Sequence, residues 1–498
     1  MASDTTQTES QTQGGALSEL DEFSDILKQT IKPRTEEASR EVDNAITTLV
    51  KEALNDNSVV SEDIIDTIQT MLARIDEKLT KQVNQIIHAP EFQQLESAWR
   101  GVAYTVNNSE TDATLRVNIM NVSKDELKSE LRRYPGAKWD KSPLFTKIYE
   151  QEFGTMGGKP YGCLIGDYQF DHSTGDVGLL RDMAKIAAAA QAPFITAAAP
   201  TLLGMDSWNE MPNPADLSEI FDTPDYAAWN SLRDSENSRY VAMTLPRVLS
   251  REPYSQNSNS VVEEFNFEEE TDGHTGEKYA WMNSAHAMAV NINRAHKEHG
   301  WTVQIRGVQS GGEVMNLPTH TFDTGDGSKD MKIPTEVSIT DRREGELSKA
   351  GLIALVHRKH TDKAAFIGGQ SLYRPKKYVD ELATASDNMS SRIPYIFAVS
   401  RFSHYLKCMV RDKIGTSPDK TQLQRDLQAW INTYVTANPA TASEKEKARK
   451  PLAAAQVEVI EDEENPGYYM GKFYLKPHFQ MEGMDIGMSL VSKLPGGK

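Results

Sequence analysis

Tyr161-Gly-Cys-Leu-Ile-Gly166 and Pro193-Phe-Ile-Thr-Ala-Ala-Ala199 are short apolar runs on either side of a helix-like segment, Asp176 to Gln191. A run this short without polar alternation suits a strand buried on both faces. Strand, helix and strand joined by short links imply a parallel, right-handed unit. The fold class is therefore α/β, mixed with α+β features. Upstream, Leu115, Val117 and Ile119 alternate as a half-buried strand. Downstream, further strands are expected over 302–306, 335–340, 351–357 and 364–369. The acidic, polar stretch Asn257 to Gly276 reads as a surface loop.

Further out, the pattern is helical. Residues 1–16 are rich in Thr, Gln, Ser and Gly and are expected to be disordered. Leu17, Leu20, Phe23, Leu27 and Ile31 then recur at spacings of three and four, with Ile26 beside them, until Pro33. Such an acidic amphipathic helix either docks on a partner or packs on its own domain. A second helix is expected from Arg34 to Leu54 and a third from Ser61 to His88. In the third, Ile64, Ile68, Leu72, Ile75, Leu79, Val83 and Ile86 form a seam that needs covering by other helices.

Toward the C-terminus, helices are expected from Ser391 to Ile414, started or interrupted at Pro394, and from Lys420 to Val435. Ala440 to Lys450 reads as a charged connector. Val457 to Ile460 and Tyr468 to Leu475 flank the turn Asn465-Pro-Gly467 and read as a hairpin, with Val457, Val459, Phe473 and Leu475 among its apolar residues. A late strand, Asp485 to Val491, carries Ile486, Met488 and Leu490 on one face. Two strands alone are marginal in water. The late strand must pair with its own hairpin or with another molecule.

The 498 residues suffice for several domains, with 38% apolar and 25% charged residues. Against 54 Lys and Arg stand 72 Asp and Glu, a net charge of −18. That argues against a nucleic-acid binder. Cys163 and Cys408 are the only cysteines, so no disulfide framework is implied and a reducing compartment fits. The polar N-terminus lacks a secretory signal and no run of 18 apolar residues exists, so no membrane insertion is expected and the reading is cytoplasmic.

Sequence signals of catalysis fail on particular residues. Gly154-Thr-Met-Gly-Gly-Lys159 has Phe153 and Pro160 where a phosphate loop needs Gly and Ser or Thr. Asp323 to Asp330 places Ser328 and Pro334 where a calcium loop needs Gly and a carboxylate. His296 with His299, and His357 with His360, lack the zinc-protease pattern. Gly307-Val-Gln-Ser-Gly-Gly312 is spaced wrongly for a nucleophile elbow. No catalytic residue, cofactor or metal ligand is assigned.

Five segments together resemble one family, the large sheath subunit of bacterial type VI secretion systems (TssC/VipB type). They are His88-Ala-Pro-Glu-Phe-Gln-Gln-Leu-Glu-Ser-Ala-Trp-Arg-Gly101, Leu245-Pro-Arg-Val-Leu-Ser-Arg-Glu-Pro-Tyr254, Ile305-Arg-Gly-Val-Gln-Ser-Gly-Gly312, Ile333-Pro-Thr-Glu336 and Arg401-Phe-Ser-His-Tyr-Leu-Lys407. The resemblance runs from about residue 17 to the C-terminus. Ser386 and Ser403 depart from it slightly.

The resemblance implies a contractile sheath built from heterodimers with a small subunit (TssB/VipA type). These stack helically with other copies around an Hcp inner tube, contact the baseplate, and are recycled by the ClpV ATPase. It implies ClpV docking through Leu17, Leu20, Phe23, Ile26 and Leu27. The small subunit would cover Ile68, Leu72, Ile75, Leu79, Val83 and Ile86. Strands over 456–494 would be shared between subunits, with candidates Val457, Val459, Phe473, Leu475, Ile486, Met488 and Leu490. Lys420, Arg425 and Asp426 are tube-contact candidates. The expected organisation is a tail (1–16), N-terminal helices (17–88), a central α/β region (89–370) and a C-terminal sheath domain (371–498). A one-component phage or pyocin-type sheath and a soluble cytoplasmic α/β hydrolase are the competing readings.

Overall fold

In the computed structural model the two apolar runs do lie in neighbouring parallel strands. The structure describes residues 64–480 apart from 213–215, 257, 259, 264, 415–419, 462–468 and 479, together with Arg40, Asn44 and Thr48. The expected helix over 17–31 and the late strand over 485–491 lie outside the described residues. So does the expected helix over 34–54, except those three residues, which are helical.

The chain divides into two units, residues 1–89 with 253–270, and residues 90–252 with 271–498. The first holds α1 (Ile64–Ile87). The polar segment is not a purely solvated loop: Phe267 and Glu269 are buried. Asn84 of α1 holds it from both sides, donating to Glu268 O at 3.0 Å and accepting from the Glu270 N–H at 2.8 Å.

In the second unit the order is α2 (Pro90–Asn107), β1 (Leu164–Phe170), α3 (Thr174–Ala190), β2 (Phe194–Ala198), β3 (Val241–Leu245) and α4 (Ser284–His299). Then come β4 (Glu313–Val314), β5 (His320–Asp323), β6 (Lys329–Lys332), α5 (Asp341–Lys349), β7 (Leu352–His357) and β8 (Ala364–Phe366). The last elements are α6 (Glu381–Ser390), α7 (Ile393–Asp412), α8 (Lys420–Asn432), α9 (Glu444–Arg449), β9 (Leu452–Glu461) and β10 (Tyr469–Pro477).

One six-stranded sheet runs β1-β2-β3-β7-β8-β4. Its first four strands are parallel, with Leu164 opposite Phe194 and Met243 opposite Leu352, and the last two are antiparallel. Both faces are covered. Val241, Met243, Leu352 and Ala354 enter a core with Val177 and Leu180 of α3. Their neighbours Ala242, Ile353 and Leu355 enter the opposite core with Ala285 and Met288 of α4. Strict alternation between two dry cores explains why these strands read as continuous apolar runs. Local chemistry ends the covering helices. Ser173 caps α3 and Gln191 stops it at φ 54°. Asn283 caps α4 and Gly300 stops it at φ 78°.

Several expected strands are corrected. β1 starts at Leu164 rather than Tyr161 and runs on through Asp167 and Gln169. It is an edge strand, so polar residues are tolerated where the apolar-run criterion stopped. Leu115 to Ile119 has no ladder partner among the described residues; Leu115 and Val117 are half-buried and Ile119 is exposed. Alternation there records which side faces protein, not a neighbouring strand. Thr302 to Arg306 is irregular because Val303 and Ile305 serve two different cores. Of 335–340 only Thr335 makes a bridge, to Val248. The connector over 440–450 contains α9, capped by Ser443.

Candidate assembly surfaces

Along α1 the seam is uncovered. Leu72, Ile75, Leu79 and Ile86 are exposed, Ile86 by 57%, and Val83 is half-buried. Ile68 is helical, but its side chain lies outside the described residues. The helix is held within its unit by polar contacts from Asn84 and from His88, whose Nε2 lies 3.3 Å from Glu269 Oε1. An apolar stripe left in water while the polar side is docked marks an interaction face.

A second stripe, missed in the sequence, lies on α2. Phe92, Leu95, Trp99 and Val106 are exposed, Trp99 by 59%. The signal was present in Pro90 at the helix start and in spacings of three and four. The other side of α2 is fixed tightly. A Cβ on Gly101 would stand 2.4 Å from the His286 ring. The Thr105 hydroxyl donates to Gly101 O at 3.0 Å and meets His286 Nδ1 at 2.9 Å.

Polar residues of the quoted segments are engaged inside the chain. Arg247 grips Glu336 in a fork at 2.8 and 2.6 Å. Gly307 N–H donates to Phe366 O, and the crowded Gly312 leaves no room for a Cβ, which would fall 2.5 Å from Gly307 N. Lys407 sits 3.7 Å from the Phe153 ring centre, a cation over an aromatic face. The glycine-rich turn before β1 is structural too: the Lys159 N–H donates to Glu152 Oε2 at 2.7 Å, where a phosphate loop would present free N–H groups. Asp323 to Asp330 is the β5–β6 hairpin, and its Asp326 carboxylate accepts from Ser328.

A cavity of about 890 Å³ is lined by Cys163, His296, Ser400, Arg401, His404 and Cys408 among others. Burial pushes the His404 imidazole down to about 4, and its Nε2 lies 2.9 Å from Ala190 O. No hydrogen bond joins Ser400 Oγ to His404 Nδ1. Burial pushes the Cys163 thiol up to about 12, which keeps it protonated. The nucleophile–base contact that a hydrolase needs is not made here. Among the described residues no cluster of His, Cys, Asp and Glu is arranged to hold a metal, and no helix is long and apolar enough to cross a membrane.

At the C-terminal end the expected hairpin forms, with Val457 opposite Phe473 and Ala455 opposite Leu475. Val457 and Val459 are buried against Leu423, Leu427 and Ile431 of α8, and Phe473 and Leu475 pack half-buried on the same core. These four side chains therefore serve their own chain. On α8, Lys420 and Arg425 are exposed, whereas Asp426 is taken by Lys413 and Gln422. The helix stops at Asn432 rather than Val435. Leu17, Leu20, Phe23, Ile26, Leu27, Ile486, Met488 and Leu490 lie outside the described residues.

Residues 69–373 match the family described as VipB, EvpB/VC_A0108, tail sheath N-terminal domain. Residues 382–494 match its companion, the tail sheath gpW/gp25-like domain. The type VI secretion system sheath protein TssC1 of Pseudomonas aeruginosa is 56% identical over 492 residues, covering 99% of both chains. Solved structures of an anti-feeding prophage are distant. A chain of its baseplate aligns at a TM-score of 0.40 and 11% identity, over 76% of this chain and 84% of that one. A chain of its contracted helical sheath aligns at 0.30 and 13%, over 64% and 75%.

Proposed function

The chain belongs to the VipB tail sheath family and is a large subunit of the type VI secretion contractile sheath, and from that premise we propose how its surfaces are used. A small sheath subunit lays its helices on the α1 stripe, Leu72 to Ile86. The heterodimers polymerise helically in the cytoplasm around an Hcp tube, with Lys420 and Arg425 toward that tube. Strands of the C-terminal hairpin region are shared between neighbouring copies. The sheath contracts against the baseplate, and ClpV recycles it through the segment Leu17 to Ile31. The chain hydrolyses nothing itself.

The observation that carries this reading is the α1 seam, an apolar stripe that is exposed along the helix. A protein without a reacting group can do mechanical work if each copy prefers the contracted packing, because many copies add. Co-expression with and without the small subunit, followed by negative-stain electron microscopy, tests it. Hollow tubes only in the co-expression are expected. Tubes from this chain alone would favour a one-component sheath, and discrete particles in both cases would reject sheath assembly.

A further inference from the structure

The cavity of about 890 Å³ beside α4 and α7 carries a charge opposite to that of the chain as a whole. The chain has a net charge of −18. Arg116, Lys159, Lys297 and Arg401 nevertheless line the cavity, against a single acid, Glu152. The Glu152 carboxylate already accepts from the Lys159 main-chain N–H, and Lys297 is paired with Asp112 at 2.5 Å. The side chains of Arg116, Lys159 and Arg401 have no carboxylate partner among the described residues. Arg401 is half-buried, its guanidinium 4.7 Å from the Tyr405 ring centre. Its charge is felt inside the cavity: burial first and Arg401 second hold the His296 imidazole below its usual 6.5. A half-buried cation without a counter-charge is costly, and in a cavity of this size it points to an anionic occupant.

The longest acidic run of the chain is Glu461-Asp-Glu-Glu464. It continues from the last residue of β9, Glu461, whose ladder partner is Tyr469, the first residue of β10. The cavity lies at the other end of that strand. Trp301 lines it, the Trp301 ring is 5.2 Å from Tyr434, and Tyr434 O accepts from the N–H of Leu452, where β9 begins. The ten residues of β9 span about 30 Å. α7 also separates the two places. Its Ser400, Arg401 and Cys408 line the cavity, whereas its Val399, Leu406 and Val410 line an apolar groove with Gly471 and Phe473 of β10. The strand thus carries the acidic run away from the chain's own cavity. Two complementary patches on different sides of one molecule make a heterologous contact, which propagates into a helix instead of closing a dimer.

We propose that the acidic run of one copy, Glu461 to Glu464, seats in the cationic cavity of a neighbouring copy and supplies the carboxylates that Arg116, Lys159 and Arg401 lack. This rests on the sheath reading above and adds a contact between large subunits that needs no shared strand. Arg116 and Lys159 are exposed and form the rim that attracts the run; Arg401 is the half-buried anchor inside. Each rim pair in water is weak and is screened by salt. Repeated at every copy, such pairs choose the partner and its register more than they hold the tube together. Assembly therefore weakens as ionic strength rises.

Charge exchange tests this in the full chain co-expressed with the small subunit. Size exclusion reports the heterodimer and negative-stain electron microscopy counts the tubes. Reversing the rim, Arg116→Glu with Lys159→Glu, should cut tube number roughly tenfold or more, and so should reversing the run, Asp462→Lys with Glu463→Lys. Both reversals in one chain put opposite charges back at every contact and should return tubes to the unsubstituted level. The run reversal combined instead with Lys329→Glu and Lys359→Glu, exposed cations outside the cavity, has the same net charge and should not recover. If a rim reversal blocks the heterodimer, Arg116→Gln with Lys159→Gln replaces it, and a severalfold loss of tubes is expected. Normal tube numbers from the rim or run substitutions alone overturn the proposal. So does a combined chain that stays without tubes, or recovery with Lys329→Glu and Lys359→Glu. No tubes from the unsubstituted pair would reject sheath assembly itself and the contact with it.

Discussion

Arg251 and Glu96, 155 residues apart, form a buried ion pair: Arg251 Nε donates to Glu96 Oε1 at 2.7 Å. Each comes from one of the quoted family segments, and Arg100 adds a second cation at 2.7 Å. Burial alone would raise the Glu96 carboxyl, but Arg251 and then Arg100 outweigh it and hold the group below its usual 4.5. Removing Arg251 takes away the stronger of the two cations that compensate the buried Glu96 carboxylate and leaves Arg100 alone. Arg251→Met should therefore cost roughly 3 kcal/mol in urea unfolding. A folded value below the unfolded one means stability present above pH 4.5 and lost as pH falls through the folded value. Arg251→Met should flatten that acid limb, and an unchanged limb would contradict the pairing.

Leu79 is exposed on α1, so Leu79→Asp should change the stability of the chain itself by less than about 0.5 kcal/mol. Co-purification with the small subunit should nevertheless be lost, because a carboxylate would be buried unpaired in the seam. Thermal melting and affinity capture report the two effects separately. Retained capture would remove α1 from the interface.

Gly471 leaves the groove open beside Phe473; a Cβ there would lie 2.9 Å from the ring. Gly471→Val raises strand propensity, so the hairpin should persist. The valine would fill the space proposed for a shared strand. Heterodimer on size exclusion with few or no tubes by microscopy is the expected outcome.

Burial disfavours the His404 imidazolium and pushes its pKa down from an ordinary 6.5 to about 4. Its contribution is complete above pH 6.5 and declines as pH falls from there toward 4. The loss should reach about 2 kcal/mol at pH 5. His404→Gln should remove this slope, as read from urea midpoints at pH 7 and pH 5.

Replacing Leu20, Phe23 and Leu27 with Ser should leave tube formation and contraction intact, since the proposed role of that segment is recycling. Disassembly of contracted sheaths by ClpV should slow severalfold in a turbidity assay. An unchanged rate would remove the segment from ClpV recognition.

Legibility followed burial geometry. β2, β7 and β8 were readable because both of their faces are dry. β3, the central strand Val241-Ala-Met-Thr-Leu, has the same character but went unread among flanking motif residues. α4 is not legible either: Ser284, His286, Asn291 and Asn293 are all buried along with its alanines, and only its last turns carry polar residues toward solvent, too few to set a helical period. The Leu115 to Ile119 alternation misled for the opposite reason, being real alternation without a ladder.

Sequence by itself determined the α/β class, the α1 seam, the C-terminal hairpin and the family, because each depends on local period, turn chemistry or residue order. Only tertiary structure decided that Val457 and Val459 point into their own core, that Asp426 is already paired, and that Gln428 meets the outer edge of β9 while that of β10 has no partner among the described residues. Periodicity along one strand tells which residues share a face. Which edge is free depends on a helix packed beside it, and that contact is set by the fold as a whole.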